Sequence, residues 1–428
     1  MLCRAFIALI AASLATPAVF AQDMSEVYNQ RGLEWHRQKN YDNAIANFNE
    51  AIRLDSTSAT LYSNRGMSLD ARGDYQAALA DLNYALSLDP NYEPAYNNRG
   101  LTYADLGEYD RAIADLNQAV RLDPRDAAAY SNLGYAWNGK GDYDRAIQAY
   151  TQALALDPRD TYSYRGRGEA YIAKGQDELG LNDFNQAIAI QPSAYDYNEA
   201  GYIRMERGEY DQAMADFDQA IRLDPNYAMA YNNRCWVWTQ RANYERAIAE
   251  ADEAIRINPK LAIAYENRGY AWQMKGDIDR SLADLDRYVE LAHNADAFVE
   301  RGKVHRSLGH FDKALADFDS ALERDPNSAA AYKAMAWIES TCPDEKFRNG
   351  KRALIDAQHA LRLTNEKDPW AMDVLAAAYA ENGDYKQAAE WEHRAIDLLS
   401  DEDDKQQCRE HLATFAEGKP YREPINVK

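Results

Sequence analysis

Tyr41, Tyr75, Tyr109 and Tyr143 stand 34 residues apart, and the register runs on through Asp177, Tyr210, Tyr244, Ile278, Phe311 and, after an insertion, Tyr385. A period of this length marks supersecondary units stacked in a line rather than one closed core. Three residues past each anchor the side chain is small: Ala44, Ala78, Ala112, Ala146, Gly180, Ala213, Ala247, Ser281, Ala314 and Ala388. Nine residues before the anchor stands a glycine, from Gly32 to Gly302, with Cys235 the one departure among the first nine units. Within each half-unit, apolar residues recur at three- and four-residue spacing, the mark of an amphipathic helix. Small residues at the crossing let two antiparallel helices approach, and aromatic residues fill the space between neighbouring pairs. Asp-Pro pairs (Asp89-Pro90, Asp123-Pro124, Asp157-Pro158, Asp224-Pro225, Asp325-Pro326) end the second helix, because proline cannot continue it.

Many motif positions agree in register with the tetratricopeptide repeat (TPR), and the chain resembles that family over nearly its whole length. Eleven units begin near Ser25, Ala59, Glu93, Ala127, Thr161, Ala194, Ala228, Ala262, Ala295, Ala329 and Pro369. The resemblance implies an all-α, right-handed superhelical solenoid of about eleven helix-turn-helix units with a C-terminal capping helix. Units one to nine span 25–326. Units ten and eleven (327–400) look like a variant C-terminal module of some bacterial TPR proteins, on the residues TCPDEKFRNGKRAL and KDPWAMDVLAAAYAENGDY. The polar stretch within 401–428 reads as the capping helix and tail that the end of a repeat stack requires.

The opening MLCRAFIALIAASLATPAVFAQD has one positive charge (Arg4), a short apolar run and small residues up to Ala21. That layout predicts a secretory signal over 1–21 and an exported, periplasmic or secreted bacterial protein. No later segment is apolar enough for a transmembrane helix. With 69 acidic against 48 basic side chains the formal charge is −21, so the surface repels phosphate backbones and no nucleic-acid partner is expected. Cys235, Cys342 and Cys408 are odd in number and widely spaced, which is not a disulfide framework. Cys342 and Cys408 can pair only if the last two repeats bring them together.

Numbering each unit from its first residue exposes two unusual rows. Position seven, which faces another helix, holds Arg65, Arg99, Arg167, Arg234, Arg268 and Arg301. Position twenty-three of the same units holds Asp81, Asp115, Asp183, Glu250, Asp284 and Asp317. The unit with Leu133 at seven has Ala149 at twenty-three, while Arg31 with Asn47 and Ala200 with Asp216 break the rule. This covariation predicts partly buried structural ion pairs bridging the two helices of a unit. Arginine suits the place because its planar fork binds a carboxylate bidentately while its stem packs as hydrocarbon.

The second row is position six, with Asn64, Asn98, Asn132, Asn233 and Asn267 and a break at Gly166 and Glu199. The family resemblance implies that this position points into a concave groove. Asparagine is a poor helix former, but its carboxamide can bond both the N–H and the C=O of an extended peptide. The row is similar to the asparagine ladder in the TPR superhelix of O-linked N-acetylglucosamine transferases, although nothing here resembles their catalytic domain. At position nine, Tyr135, Tyr202, Trp236 and Tyr270 add aromatic anchors of the kind that dominate binding energies, though packing between first helices accounts for them equally well. The carboxylate clamp of chaperone-binding TPR domains lacks its lysine at position five and its asparagine at position nine.

No catalytic motif, phosphate loop, calcium loop or metal-ligand spacing is present, and the seven histidines are scattered. These observations predict a non-catalytic scaffold with no cofactor and no metal, binding an extended peptide or protein segment. The alternative is an architectural subunit that associates with itself or with an envelope complex.

Overall fold

The computed structural model describes residues 17–424. The signal reading of 1–21 falls largely outside them, and residues 1–16 carry no structural account. Among the described residues there are twenty-three α-helices and no strand. The first hairpin pairs α1 (Pro17–Arg37) with α2 (Tyr41–Leu54), the second α3 (Ala59–Arg72) with α4 (Tyr75–Leu88), and the third α5 (Glu93–Asp105) with α6 (Tyr109–Leu122). Hairpin four is α7 (Ala127–Gly139) with α8 (Tyr143–Leu156), five is α9 (Thr161–Ala173) with α10 (Asp177–Ile190), and six is α11 (Ala194–Glu206) with α12 (Tyr210–Leu223). Chain contacts close one compact unit here, at Leu223, and a second begins at Asp224. It holds hairpins seven, α13 (Ala228–Gln240) with α14 (Tyr244–Ile257), eight, α15 (Ala262–Met274) with α16 (Ile278–Ala292), and nine, α17 (Ala295–Ser307) with α18 (Phe311–Arg324). Hairpin ten, α19 (Ala329–Thr341) with α20 (Gly350–Leu363), carries the insertion as a short 3-10 turn at Glu345–Phe347. Hairpin eleven, α21 (Pro369–Glu381) with α22 (Tyr385–Leu398), is followed by α23 (Glu402–Ala416).

Helix ends follow local chemistry. Asp126, Asp142, Asp160, Ser193, Asn243 and Asp277 accept backbone N–H bonds as N-caps, satisfying donors that have no partner within the helix. The turn inside most hairpins needs a left-handed residue, supplied for example by Gly107 (φ 75°) and Gly141 (φ 80°). Hairpins one and seven put Lys39 (φ 58°) and Ala242 (φ 53°) there instead, at a steric cost that glycine avoids.

The repeated glycine at position eight answers to one partner, position twenty-four of the second helix. A Cβ on Gly32 would lie 2.5 Å from Phe48, on Gly66 2.8 Å from Leu82, on Gly134 2.7 Å from Tyr150 and on Gly302 2.5 Å from Phe318. Where Cys235 replaces the glycine, position twenty-four shrinks to Ala251, and both are fully buried. The departure is therefore a volume exchange across the helix pair, which a close-packed interior demands. Cys235, Cys342 and Cys408 are all buried and unpaired.

In several places the first helix of a hairpin also packs on the first helix of the next, as α3 does on α5, α5 on α7, α7 on α9, and α13 on α15. The pairs α9/α11 and α15/α17 approach less closely. Both follow a linker one residue shorter than the period, since the starts Thr161 to Ala194 and Ala262 to Ala295 are 33 apart.

Candidate functional site

The arginine row sits at the hairpin crossings. Arg65, Arg99, Arg167, Arg268 and Arg301 each direct Nε and Nη2 at the two carboxylate oxygens of Asp81, Asp115, Asp183, Asp284 and Asp317, at 2.6–3.1 Å. Arg234 reaches the longer Glu250 with Nη2, at 2.7 and 2.6 Å. The five aspartates are at most 9% exposed, so the bidentate bonds replace hydration that these carboxylates have lost. Each guanidinium also lies 5.5–5.7 Å from the centre of the ring three residues earlier: Tyr62, Tyr96, Tyr164, Tyr231, Tyr265 or Phe298. Such stacking adds a cation–π attraction.

A third contact was not legible in the covariation. Nη1 reaches back to the second helix of the preceding hairpin: Arg65 to Asn49, Arg99 to Asn83, Arg167 to Thr151, Arg268 to Asp252 and Arg301 to Asp286, at 2.6–3.1 Å. One side chain thus joins the two helices of its own hairpin and ties that hairpin to its neighbour. The exception in hairpin six resolves the same way. Asp216 pairs with Arg204, one helical turn beyond Ala200 on α11, and Arg204 Nη2 lies 3.5 Å from Asn185 of the preceding hairpin. In hairpin four, Leu133 and Ala149 fill the crossing as buried apolar residues.

The asparagine row runs sideways between first helices. Asn64 donates to Asn29 Oδ1 at 2.9 Å, Asn98 to Ser63 Oγ at 3.1 Å, Asn132 to Asn97 Oδ1 at 2.8 Å and Asn267 to Asn232 Oδ1 at 2.9 Å. Each acceptor is position five of the preceding unit. Asn233 differs, being only 6% exposed and accepting from Asn232. The other four are half-buried. The lateral bond uses one of two amide hydrogens and fixes the side chain, which still has its oxygen and second N–H to offer. The break at Gly166 has a steric cause. A Cβ there would collide with the ring and hydroxyl of Tyr150, which is 1% exposed. At the short linker Arg165 takes over, binding the fully buried Asp196 through Nε and Nη2 at 2.5 and 2.7 Å.

The aromatic residues fall into two groups. In hairpins four to six, Tyr135 and Tyr162 meet edge to face at 6.3 Å. Burial, with Asp105 beside it, pushes the Tyr135 phenol up to about 12. Tyr195 donates to Glu169 at 2.5 Å, while Tyr162 and Tyr202 remain 44% and 42% exposed. Burial also raises the Glu199 carboxyl, with Glu169 and Asp196 adding to it. In hairpins seven to nine, Trp236, Asn267 and Tyr270 converge on one cavity of about 220 Å³, together with Thr239, Glu266, Gln273 and Glu300. Tyr270 is 49% exposed there, and burial holds the Glu266 carboxyl above its ordinary range. Both groups set rings beside acids, and the second borders the cavity.

The fold also gathers a set that spacing along the chain did not reveal. Asp373, Glu392 and His411, one each from α21, α22 and α23, bring a ligand atom apiece within 4.8 Å of one another. Among the described residues no helix is long and apolar enough to cross a membrane.

Comparison with known proteins places these features in a family. Models described as tetratricopeptide repeat match residues 97–161, 138–195, 295–328 and 369–391, and one described as TPR repeat matches 32–69, 71–107 and 201–234. No curated protein matches the chain. Among solved structures, the human IFIT1 dimer with m7Gppp-AAAA is 14% identical, with 88% of this chain and 90% of that one covered at a TM-score of 0.50. Yeast Tom70 is 16% identical over 92% of this chain and 95% of its own, at 0.49. A tetratricopeptide repeat protein from Parabacteroides merdae is 23% identical over 56% and 96%, at 0.49. At 14% identity the likeness to the IFIT1 structure speaks for the fold alone. With matches in register over more than half its length and eleven helical hairpins crossing at the expected small residues, the chain belongs to the tetratricopeptide repeat family.

Proposed function

We propose that this protein is an exported, non-catalytic scaffold that holds an extended peptide or protein segment against its first helices. The observation that carries the reading is the cavity where Trp236, Asn267 and Tyr270 converge. Its carboxamide is braced by Asn232 at 2.9 Å, so little side-chain entropy is lost when it bonds a guest backbone. Aromatic walls beside Glu266 favour a lysine or arginine of the guest, through cation–π contact and charge complementarity, while Glu300 is already paired with Lys303 at 2.6 Å. The acidic total charge points the same way. The asparagines at 64, 98 and 132 would grip backbone in the same manner, whereas Asn233, buried against Asn232, would act as a brace. Catalysis has no part in this reading, and a protein or peptide is the partner rather than nucleic acid.

The test is crosslinking and mass spectrometry of the protein in its own envelope fraction, comparing wild type with Asn267→Ser and Tyr270→Ala. The captured segments should be extended and rich in lysine and arginine, and should disappear in both variants while circular dichroism is unchanged. An identical set of captured segments in wild type and variants would refute the groove as the binding site.

A further inference from the structure

The second compact unit carries a buried group that peptide binding does not use. Asp373, Glu392 and His411 are 2%, 0% and 2% exposed. His411 Nδ1 lies 2.8 Å from Asp373 Oδ1 and 3.7 Å from Glu392 Oε1. Neither oxygen of Glu392 has a hydrogen-bond partner. An ionised carboxylate in that position is costly unless a positive centre faces it. The imidazole is held in place by the rings of Trp337 and Tyr421, at 5.5 and 4.2 Å between centroids. Asp373 and Trp337 also line a cavity of about 390 Å³ beside the group.

We propose that Asp373, Glu392 and His411 bind a divalent transition-metal ion of the zinc class. Imidazole nitrogen with two carboxylate oxygens suits zinc and its neighbours better than magnesium or calcium, which take oxygen sets. At zinc's usual bond lengths, tetrahedral ligands stand roughly 3.4 Å apart, and the three donors lie within 4.8 Å of one another, so small side-chain rotations close the set. His411 would exchange its bond to Asp373 for the metal, and the ion would give the stranded Glu392 its missing partner. The fourth position is left to water. Because the ligands come from α21, α22 and α23, the ion pins the capping helix to the last hairpin.

The experiment uses the full chain, freed of metal with a chelator and then titrated with Zn²⁺ against a chromophoric competitor, and separately with Co²⁺. One equivalent should bind with micromolar or tighter affinity, and Co²⁺ should show the intense visible bands of a four-coordinate site. Glu392→Gln and His411→Gln should each weaken binding at least tenfold, and Zn²⁺ should slow amide exchange in α21 to α23 selectively. Zinc affinity no better in wild type than in these variants, or only the weak spectrum of hydrated Co²⁺, would overturn the proposal. If both variants fold poorly, X-ray absorption on zinc-loaded wild type decides. A first shell of one imidazole with oxygens supports the site, and a shell with two or more imidazoles, or oxygens alone, refutes it.

Discussion

Cutting the Arg167–Asp183 pair one side at a time separates its contributions. Asp183 is 1% exposed and accepts from Arg167 at 2.7 and 2.8 Å. Arg167→Leu leaves that carboxylate without its cation in a place water does not reach, and losing one partner of a buried pair costs about 3–5 kcal/mol. Asp183→Ala should cost less, about 3 kcal/mol, the lower end of that range. The Arg167 side chain is 17% exposed, keeps Thr151 Oγ1 at 3.1 Å and still lies over Tyr164. The double change reproduces the Leu133/Ala149 crossing of hairpin four, so its cost should fall to about 1 kcal/mol, as buried pairs replaced by apolar residues often do. A repeat stack does not unfold in one step, so hydrogen exchange of the α9 and α10 amides under native conditions is the suitable assay, with urea melts of the whole chain beside it. The reasoning fails if Arg167→Leu is no worse than Asp183→Ala, or if the double variant loses the sum of both.

Ala242→Gly removes the strain of a left-handed alanine between α13 and α14 and should stabilise the second unit by about 1 kcal/mol in urea melts. Gly166→Asn should destabilise hairpin five by crowding Tyr150, and adding Tyr150→Leu, which restores the Leu116/Asn132 arrangement of the preceding hairpins, should recover part of the loss by hydrogen exchange. Burial and then the charge of Asp126 raise the Glu93 carboxyl from 4.5 to about 7, so the folded state holds this proton more tightly than the unfolded chain. The resulting stability is full below about pH 4.5 and is lost as pH rises through about 7. Glu93→Gln should therefore be more stable than wild type at pH 8, with the advantage shrinking toward pH 5 in paired thermal melts.

The legible part of the structure is what one 34-residue unit contains within itself. Arg99 and Asp115 sit sixteen apart in a hairpin whose geometry repeats, so the covariation of Arg/acid with Leu133/Ala149 carries a contact. Gly134 and Tyr150 are likewise one unit's business, and their partnership becomes plain only when Cys235 is seen against Ala251. Contacts between units were out of reach, because no periodic comparison relates residues that belong to different copies. The bond from Asn132 to Asn97, the reach of Arg167 to Thr151, and Tyr150 filling the space of a sixth-position side chain at residue 166 are all of this kind. Arg204 escaped notice by standing one turn away from the expected position.

Periodicity alone determined the helices, their pairing and the crossings, because each is set by side chains a few residues to half a unit apart. Stacking decided which carboxamide hydrogens are occupied, which rings stay exposed, and that Asp373, Glu392 and His411 meet. Those outcomes depend on the rotation and spacing between successive hairpins, set by many packing contacts together and by linkers shortened by one residue.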